Sequence, residues 1–239
     1  MDNEKILVTI AARGGSKGVK DKNIRELCGL PLIAHTIRQA RRWNRASRIV
    51  CSTDSERIAD VARSHGAEVP FMRPPELASD TAGKVGVIRH AVLKVEEITK
   101  ERFDIIVDLD ATAPIRNNSD LEGALALFKK ERPKTLFSVT SCRKNPYFNM
   151  VELGKEGFVH LAKELPSSIN RRQDAPKVYD MNASIYIYNR EYILDENSKS
   201  AISDRSIIWE MDELSAIDID LELDFHFVEF LVSKGIVKL

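Results

Sequence analysis

The chain has no excess of one charge sign: among 239 residues, 36 Lys and Arg balance 36 Asp and Glu. That balance excludes bulk nucleic-acid and membrane-surface binding, both of which draw on a basic excess. Cations clustered at one place must then serve a local ligand. Cysteine is scarce. Cys28, Cys51 and Cys142 are scattered, with no CxxC or Cys/His spacing, which excludes a zinc-type site and fits reduced, structural thiols. No apolar run reaches membrane-spanning length, and the polar Met1–Lys5 segment lacks a signal-peptide pattern. A cytoplasmic protein is expected. Internal repeats, low-complexity tracts, a Walker A loop and Gly-x-Gly-x-x-Gly are all missing. The five histidines form no triad with Ser or Cys, and no covalent nucleophile stands out. This absence suits direct phosphoryl or nucleotidyl transfer, where positioning and charge stabilisation do most of the catalysis.

What is present is 43% apolar and 30% charged residues, enough to bury the core of one large domain. The most telling stretch is Ile10-Ala-Ala-Arg-Gly-Gly-Ser-Lys-Gly18 with Lys22-Asn23, which follows an apolar strand-like run. The carboxyl end of a strand in an open α/β sheet is where ligands bind. Glycines admit backbone N–H groups close to an anion, and Arg13, Lys17 and Lys22 bring matching charge. The loop reads as a phosphate cradle.

Strand-like and helix-like segments alternate. Lys5–Ile10, Arg48–Ser52, Ala67–Phe71, Phe103–Leu109, Thr135–Thr140, Asn182–Tyr188 and Ser206–Trp209 read as strands. Helices are expected from Pro31 to about Trp43, through Ser64, from Thr81 to about Lys100, to about Lys130, and from Leu221 to about Lys234. Two capping boxes, Thr53-Asp-Ser-Glu56 and Ser119-Asp-Leu-Glu122, are expected to open two of them. The rhythm implies an α/β fold, a mostly parallel sheet with helices on both faces, in one domain over residues 1–239. It changes between about 142 and 178, where two short strands, Phe148–Leu153 and Gly157–Leu161, suggest a hairpin arm or lid.

Three further clusters carry chemistry. The loop from Arg73 to Ala82 either selects a ligand group or is an ordinary Pro-bounded connection. Asp108 and Asp110 fall on one side of the central strand; Asp110 either binds a metal or sugar hydroxyl, or pairs with Arg116. Asp218 and Asp220, two apart, either share one side as hard Mg²⁺ ligands, or Asp220 caps the closing helix. Capping leaves Asp218 unexplained, which favours the metal.

These motifs, in this order, resemble the CMP-sialic acid synthetases, the acylneuraminate cytidylyltransferases. The likeness rests on Ala12-Arg-Gly-Gly-Ser-Lys-Gly18 with Lys22-Asn23, Ser52-Thr-Asp54, Arg73-Pro-x-Glu-Leu-Ala-x-Asp-Thr-Ala82, Thr112-x-Pro-x-Arg116 and Ile217-Asp-Ile-Asp-x-Glu-Leu-Asp224. It implies a three-layer αβα Rossmann-like nucleotidyltransferase fold and a homodimer joined by the 142–178 arm. It also implies CTP, Mg²⁺ and an acidic nonulosonic sugar. Carried over, Ala12, Arg13, Gly14, Ser16, Lys17, Lys22 and Asn23 meet CTP, Arg73 and Ala82 lie against cytosine, and Asp218 and Asp220 hold Mg²⁺. Asp110, Thr112, Arg172 and Asn182 face the sugar.

Departures are informative. Asp110 stands where the sialic enzymes have glutamine, Asp180-Met-Asn-Ala183 replaces Arg-Pro-Asn-Gly, and Gly83-Lys84 replaces Ser-Ser beside the base. The first two shift charge at the acceptor side, away from N-acetylneuraminate and towards a legionaminic-type sugar with amino or acylamino groups. The expected reaction joins CMP to the anomeric hydroxyl with release of pyrophosphate. Alternatives are a CMP-Kdo synthetase or another sugar nucleotidyltransferase, and a nucleotide-binding domain without catalysis.

Overall fold

The structure, a computed structural model, describes residues 4–15, 18–167 and 169–239. In chain order it runs β1 (Ile6–Ala11), β2 (Glu26–Leu27), β3 (Leu30–Pro31), α1 (Leu32–Trp43), β4 (Arg48–Ser52), α2 (Glu56–Ser64), α3 (Lys84–Thr99) and β5 (Ile105–Leu109). It continues with α4 (Asn118–Glu131), β6 (Thr135–Ser141), β7 (Val151–Leu153), β8 (Val159–Leu161), β9 (Tyr179–Asn189), α5 (Arg190–Leu194), β10 (Ser206–Glu210) and α6 (Glu222–Ser233).

Six strands form one sheet in the order β10-β6-β9-β5-β1-β4. Period-2 alternation sends their side chains into two cores. Ile6, Val8 and Ile10 of β1 join Val107 and Leu109 of β5 in one, covered by α1, α2 and α4 through Ile37, Ile58 and Phe128. Leu7 and Ile106 point into the other, under Ile88, Val92 and Val95 of α3 and Ile193 of α5. Each fully buried side chain of this size stabilises by about 1.5–3 kcal/mol. The result is the three-layer αβα architecture.

Within this sheet the pairings are parallel except at β9, which runs antiparallel to both β5 and β6. The cause is the excursion. It leaves the sheet after Ser141 and returns at Tyr179, its paired neighbour, so the returning strand has to run backwards. Between them β7 and β8 pair as the expected hairpin.

Local corrections follow from competing partners. Thr53-Asp-Ser-Glu56 forms no capping box: Ser55 is the N-cap without a side-chain bond, and Asp54 instead accepts the Gly14 N–H at 2.9 Å. The box of α4 starts two residues earlier than Ser119, with Asn117 and Asp120 bonding reciprocally. The Ala67–Phe71 strand reduces to one bridge, Val50 with Glu68. Ile217–Asp220 is extended chain outside the sheet, tied by the Ile219 N–H to the Thr112 carbonyl at 2.8 Å.

A third apolar cluster matters most for function. Val19 and Leu27, from the first loop and its β2, pack with Leu32, Ile219, Phe225 and Val228. This cluster staples the amino-terminal loop to the start of α6.

Candidate active site

Two chain segments almost 200 residues apart meet at the carboxyl end of β1. Gly18 lies so close to the Asp220 carbonyl oxygen that an added Cβ would stand 2.2 Å from it. Lys22 Nζ then reaches across, donating to the Ile219 carbonyl and to Asp220 Oδ1, both at 2.7 Å. Between them is a cavity of about 280 Å³ lined by Ala11, Arg13, Gly18, Lys22, Asn23, Asp110, Thr112 and Asp220. The loop is braced from below. Asn23 donates to the Arg13 carbonyl at 3.0 Å, the Ala12 N–H donates to Ser52, and Arg13 pairs with Asp80 at 2.5 Å. Ser16 and Lys17 lie outside the described residues.

The opposite wall is acidic. Thr112 sits between carboxyls, donating from Oγ1 to Asp110 Oδ1 at 3.1 Å. Burial pushes the Asp218 carboxyl up, the neighbouring Thr112 hydroxyl pulls it down, and Asp110 and Asp220 push it up further. Its Oδ1 is buried with no hydrogen-bond partner among the described residues, an orphan that calls for a cation. Asp220 is not the cap of α6. The Asp220 and Leu221 N–H groups both donate to Asp224 Oδ2, at 2.8 and 2.7 Å, which leaves the Asp220 carboxylate to Lys22. Two such carboxylates fit Mg²⁺, which takes its remaining ligands from water and phosphate oxygens. Among the described residues no group of three or more His, Cys, Asp or Glu is arranged to hold a metal unaided.

Asp108 and Asp110 do share one side, but neither carboxylate meets Arg116. That guanidinium is buried and spends itself on Ser184, Gln39 and the Asp110 carbonyl. Burial drives it down to about 10. The two acids are bridged instead by Lys84, whose Nζ lies 3.2 Å from Asp108 and 2.6 Å from Asp110. Lys84 was not among the candidate site residues. The sequence signals it only as the Gly83-Lys84 departure from Ser-Ser, and its place at the first position of α3 comes from the structure.

Other candidates sit apart from the cavity. Arg73 is buried and clasps Ser52 through its hydroxyl, at 3.1 Å, and its carbonyl. Ala82 closes the turn leading to α3, its N–H donating to Ser79. Asn182 is enclosed, bonding Ser138 at 2.6 Å and Ser215 at 3.1 Å. Arg172 lines a second cavity, of about 380 Å³, at the base of the arm, where its guanidinium donates to the Cys142 carbonyl.

Comparison with known proteins gives one family and one fold. A family model described as Cytidylyltransferase matches residues 7–218. The CMP-N,N'-diacetyllegionaminic acid synthase of Campylobacter jejuni is 46% identical over 228 residues, 95% of each chain. The post-translational flagellin modification protein B of Campylobacter coli is 46% identical over 229 residues, 96% of this chain and 95% of that one. Among solved structures, a CMP:2-keto-3-deoxy-manno-octonic acid synthetase complexed with CTP superposes with a TM-score of 0.69, covering 97% of this chain and 100% of the other. At 16% identity it supports the fold alone.

Proposed function

This chain belongs to the cytidylyltransferase family, and from that premise we propose that it joins CMP from CTP to the anomeric hydroxyl of an acidic nonulosonic sugar of the legionaminic type. The single observation that carries this reading is the Lys22–Asp220 contact at 2.7 Å across one cavity. A cation of the first loop and an acid near the carboxyl terminus would face the same bound molecule. The acceptor class is supported by the 46% identity to a legionaminic acid synthase.

The triphosphate lies against the first loop, where Arg13 and Lys22 offset its charge and Asn23 holds the loop's backbone in shape. The anomeric oxygen forms a bond to the α-phosphorus as the bridging P–O bond to the β-phosphate breaks. Pyrophosphate departs with that electron pair, and the hydroxyl proton is lost. Fixed cations at the developing negative charge are the dominant form of stabilisation for such a transfer. Asp218 and Asp220 would hold Mg²⁺, which supplies Lewis-acid polarisation of phosphate oxygens. Thr112 and Asp110 form the acceptor side.

Three supporting assignments follow. The arm makes a homodimer: Leu153, Phe158 and Val159 project from it 74%, 76% and 64% exposed, a costly way to leave a hairpin uncovered. The free thiols Cys28, Cys51 and Cys142 suit the reducing cytoplasm. Among the described residues no helix is long and apolar enough to cross a membrane.

The test is pyrophosphate release with CTP, Mg²⁺ and a panel of 2-keto-3-deoxy acids. N,N'-diacetyllegionaminate is expected to turn over at least about tenfold better than N-acetylneuraminate, the lower end of what a single pocket contact discriminates. No release with any panel member would end the proposal, and turnover with UTP or GTP would move the enzyme to another sugar nucleotidyltransferase branch.

A further inference from the structure

Lys84 is out of place by every local rule. It is the first residue of α3, its N-cap Gly83 offers no side-chain bond, and a cation at a helix N-terminus opposes the dipole. A locally unfavourable residue that the fold nevertheless retains is expected where function outweighs stability. What holds it there is a three-sided clamp: Asp110 Oδ2 at 2.6 Å, Asp108 at 3.2 Å, and the Tyr186 ring with its centroid 4.3 Å below the ammonium. Asp108 is itself fixed, accepting from Thr9 Oγ1 at 2.7 Å.

The consequence falls on Asp110. Its Oδ2 is taken by Lys84, and its Oδ1 receives the Thr112 hydroxyl at 3.1 Å and N–H at 3.4 Å. Both oxygens are thus oriented, and the carboxylate still lines the cavity shared by Arg13, Lys22 and Asn23. Those neighbours bring cationic and amide N–H donors. Asp110 brings an ionised group that only accepts. Burial would drive its proton back on, but the Lys84 charge and bond outweigh that and hold it below the usual carboxylate range.

Resting on the cytidylyl-transfer reading above, we infer that Lys84 is the positioning residue that fixes Asp110 as a hydrogen-bond acceptor in the cavity wall. The Lys84–Asp110 pair thereby selects sugars that present an N–H donor at this point. A site built to pair a donor rejects an analogue lacking it more strongly than an apolar pocket rejects a methyl group, because the part of the carboxylate's accepting capacity that Lys84 and Thr112 leave open then loses water without gaining a partner.

The experiment is a kcat/KM ratio for N,N'-diacetyllegionaminate over its analogues N-methylated at each acetamido nitrogen in turn. The ratio is measured in wild type, Lys84→Met, Lys84→Arg, Asp110→Ala and the double variant Lys84→Met/Asp108→Asn, which removes the unpaired buried acid that the single change leaves behind. Wild type is expected to favour the N–H compound at one position by at least about tenfold, and both Met-bearing variants and Asp110→Ala to fall to about twofold. Lys84→Arg is expected to keep most of the preference. A residue that merely braces the fold would lower both rates together and leave the ratio alone. Wild-type turnover with an unchanged ratio in the Met variants would overturn the role of Lys84. Absence of wild-type turnover with any of these sugars would overturn the transfer reading, and this inference with it.

Discussion

At Gly18 the space for a side chain is already occupied, because the Asp220 carbonyl oxygen stands 2.2 Å from where a Cβ would be built. Gly18→Ala therefore has to push the loop away from the acidic wall. The expected cost is about 1–3 kcal/mol in a urea titration, as for other overpacked sites, together with at least a tenfold fall in kcat, roughly what one misplaced transition-state contact costs. Wild-type turnover would show that the two walls tolerate separation. Asp220→Asn tests the same wall from the other side. Its amide cannot serve as an ionised ligand, and turnover is expected to drop at least about tenfold with little change in Tm. At this scale the sequence was legible where chemistry sits on unusual residues in a strand-end loop: Arg13, Lys22 and Asn23 line or brace the cavity. Lys84 was not legible, because its partners Asp108 and Asp110 belong to another element and only the packing of α3 on β5 brings them within 3.2 Å.

Among the elements, α3 carries the most consequence, since its first turn holds Lys84 and its last turns are anchored by Glu96. Glu96 accepts two bonds from Arg190 of α5, at 3.0 and 2.7 Å, and one from the Phe103 N–H at 3.1 Å. Burial opposes its ionisation, but those bonds outweigh burial and leave its folded-state pKa below the usual glutamate range. The linkage has the depressed-carboxylate sign. The stabilisation is fully present above the unfolded pKa and is lost as pH falls through the folded one. Thermal melts from pH 6 downward are expected to show wild type losing stability below about pH 4.3, the ordinary glutamate range. Glu96→Gln starts lower by about 1.5–3 kcal/mol, the range for charge-assisted bonds, and falls less steeply. Parallel slopes would remove Glu96 from the account. Element boundaries were less legible than element types. Asn117 outcompeted Ser119 for the α4 cap because Asp120, three residues on, completes its box. The Asp54 carboxylate went to Gly14, a partner 40 residues distant.

In the molecule as a whole, the αβα layering follows from the alternation of apolar strands and amphipathic helices, which is local information and was readable. The reversed direction of β9 was not. It depends on the end of the sheet to which the 142–178 excursion returns, and that is a matter of tertiary closure. The excursion also leaves the apolar faces of β7 and β8 uncovered. If a second copy covers them, Phe158→Asp is expected to shift sedimentation from twice the chain mass towards the monomer, because a charge in an apolar interface loses its hydration without a partner. A wild-type chain that sediments as a monomer at micromolar concentration would dismiss the homodimer. Closure also sets the site: the Val19, Leu27, Ile219 and Phe225 cluster joins the chain's two ends and creates the cavity between them.

The most direct check is a calorimetric double-mutant cycle for CTP binding with Mg²⁺, using wild type, Lys22→Met, Asp220→Asn and the pair. One nucleotide held between the two walls requires each single change to weaken binding at least about tenfold and the two effects to couple by about 0.5–3 kcal/mol, as contacting residues do. Full-affinity binding in both single variants, or strictly additive losses, would contradict the shared site.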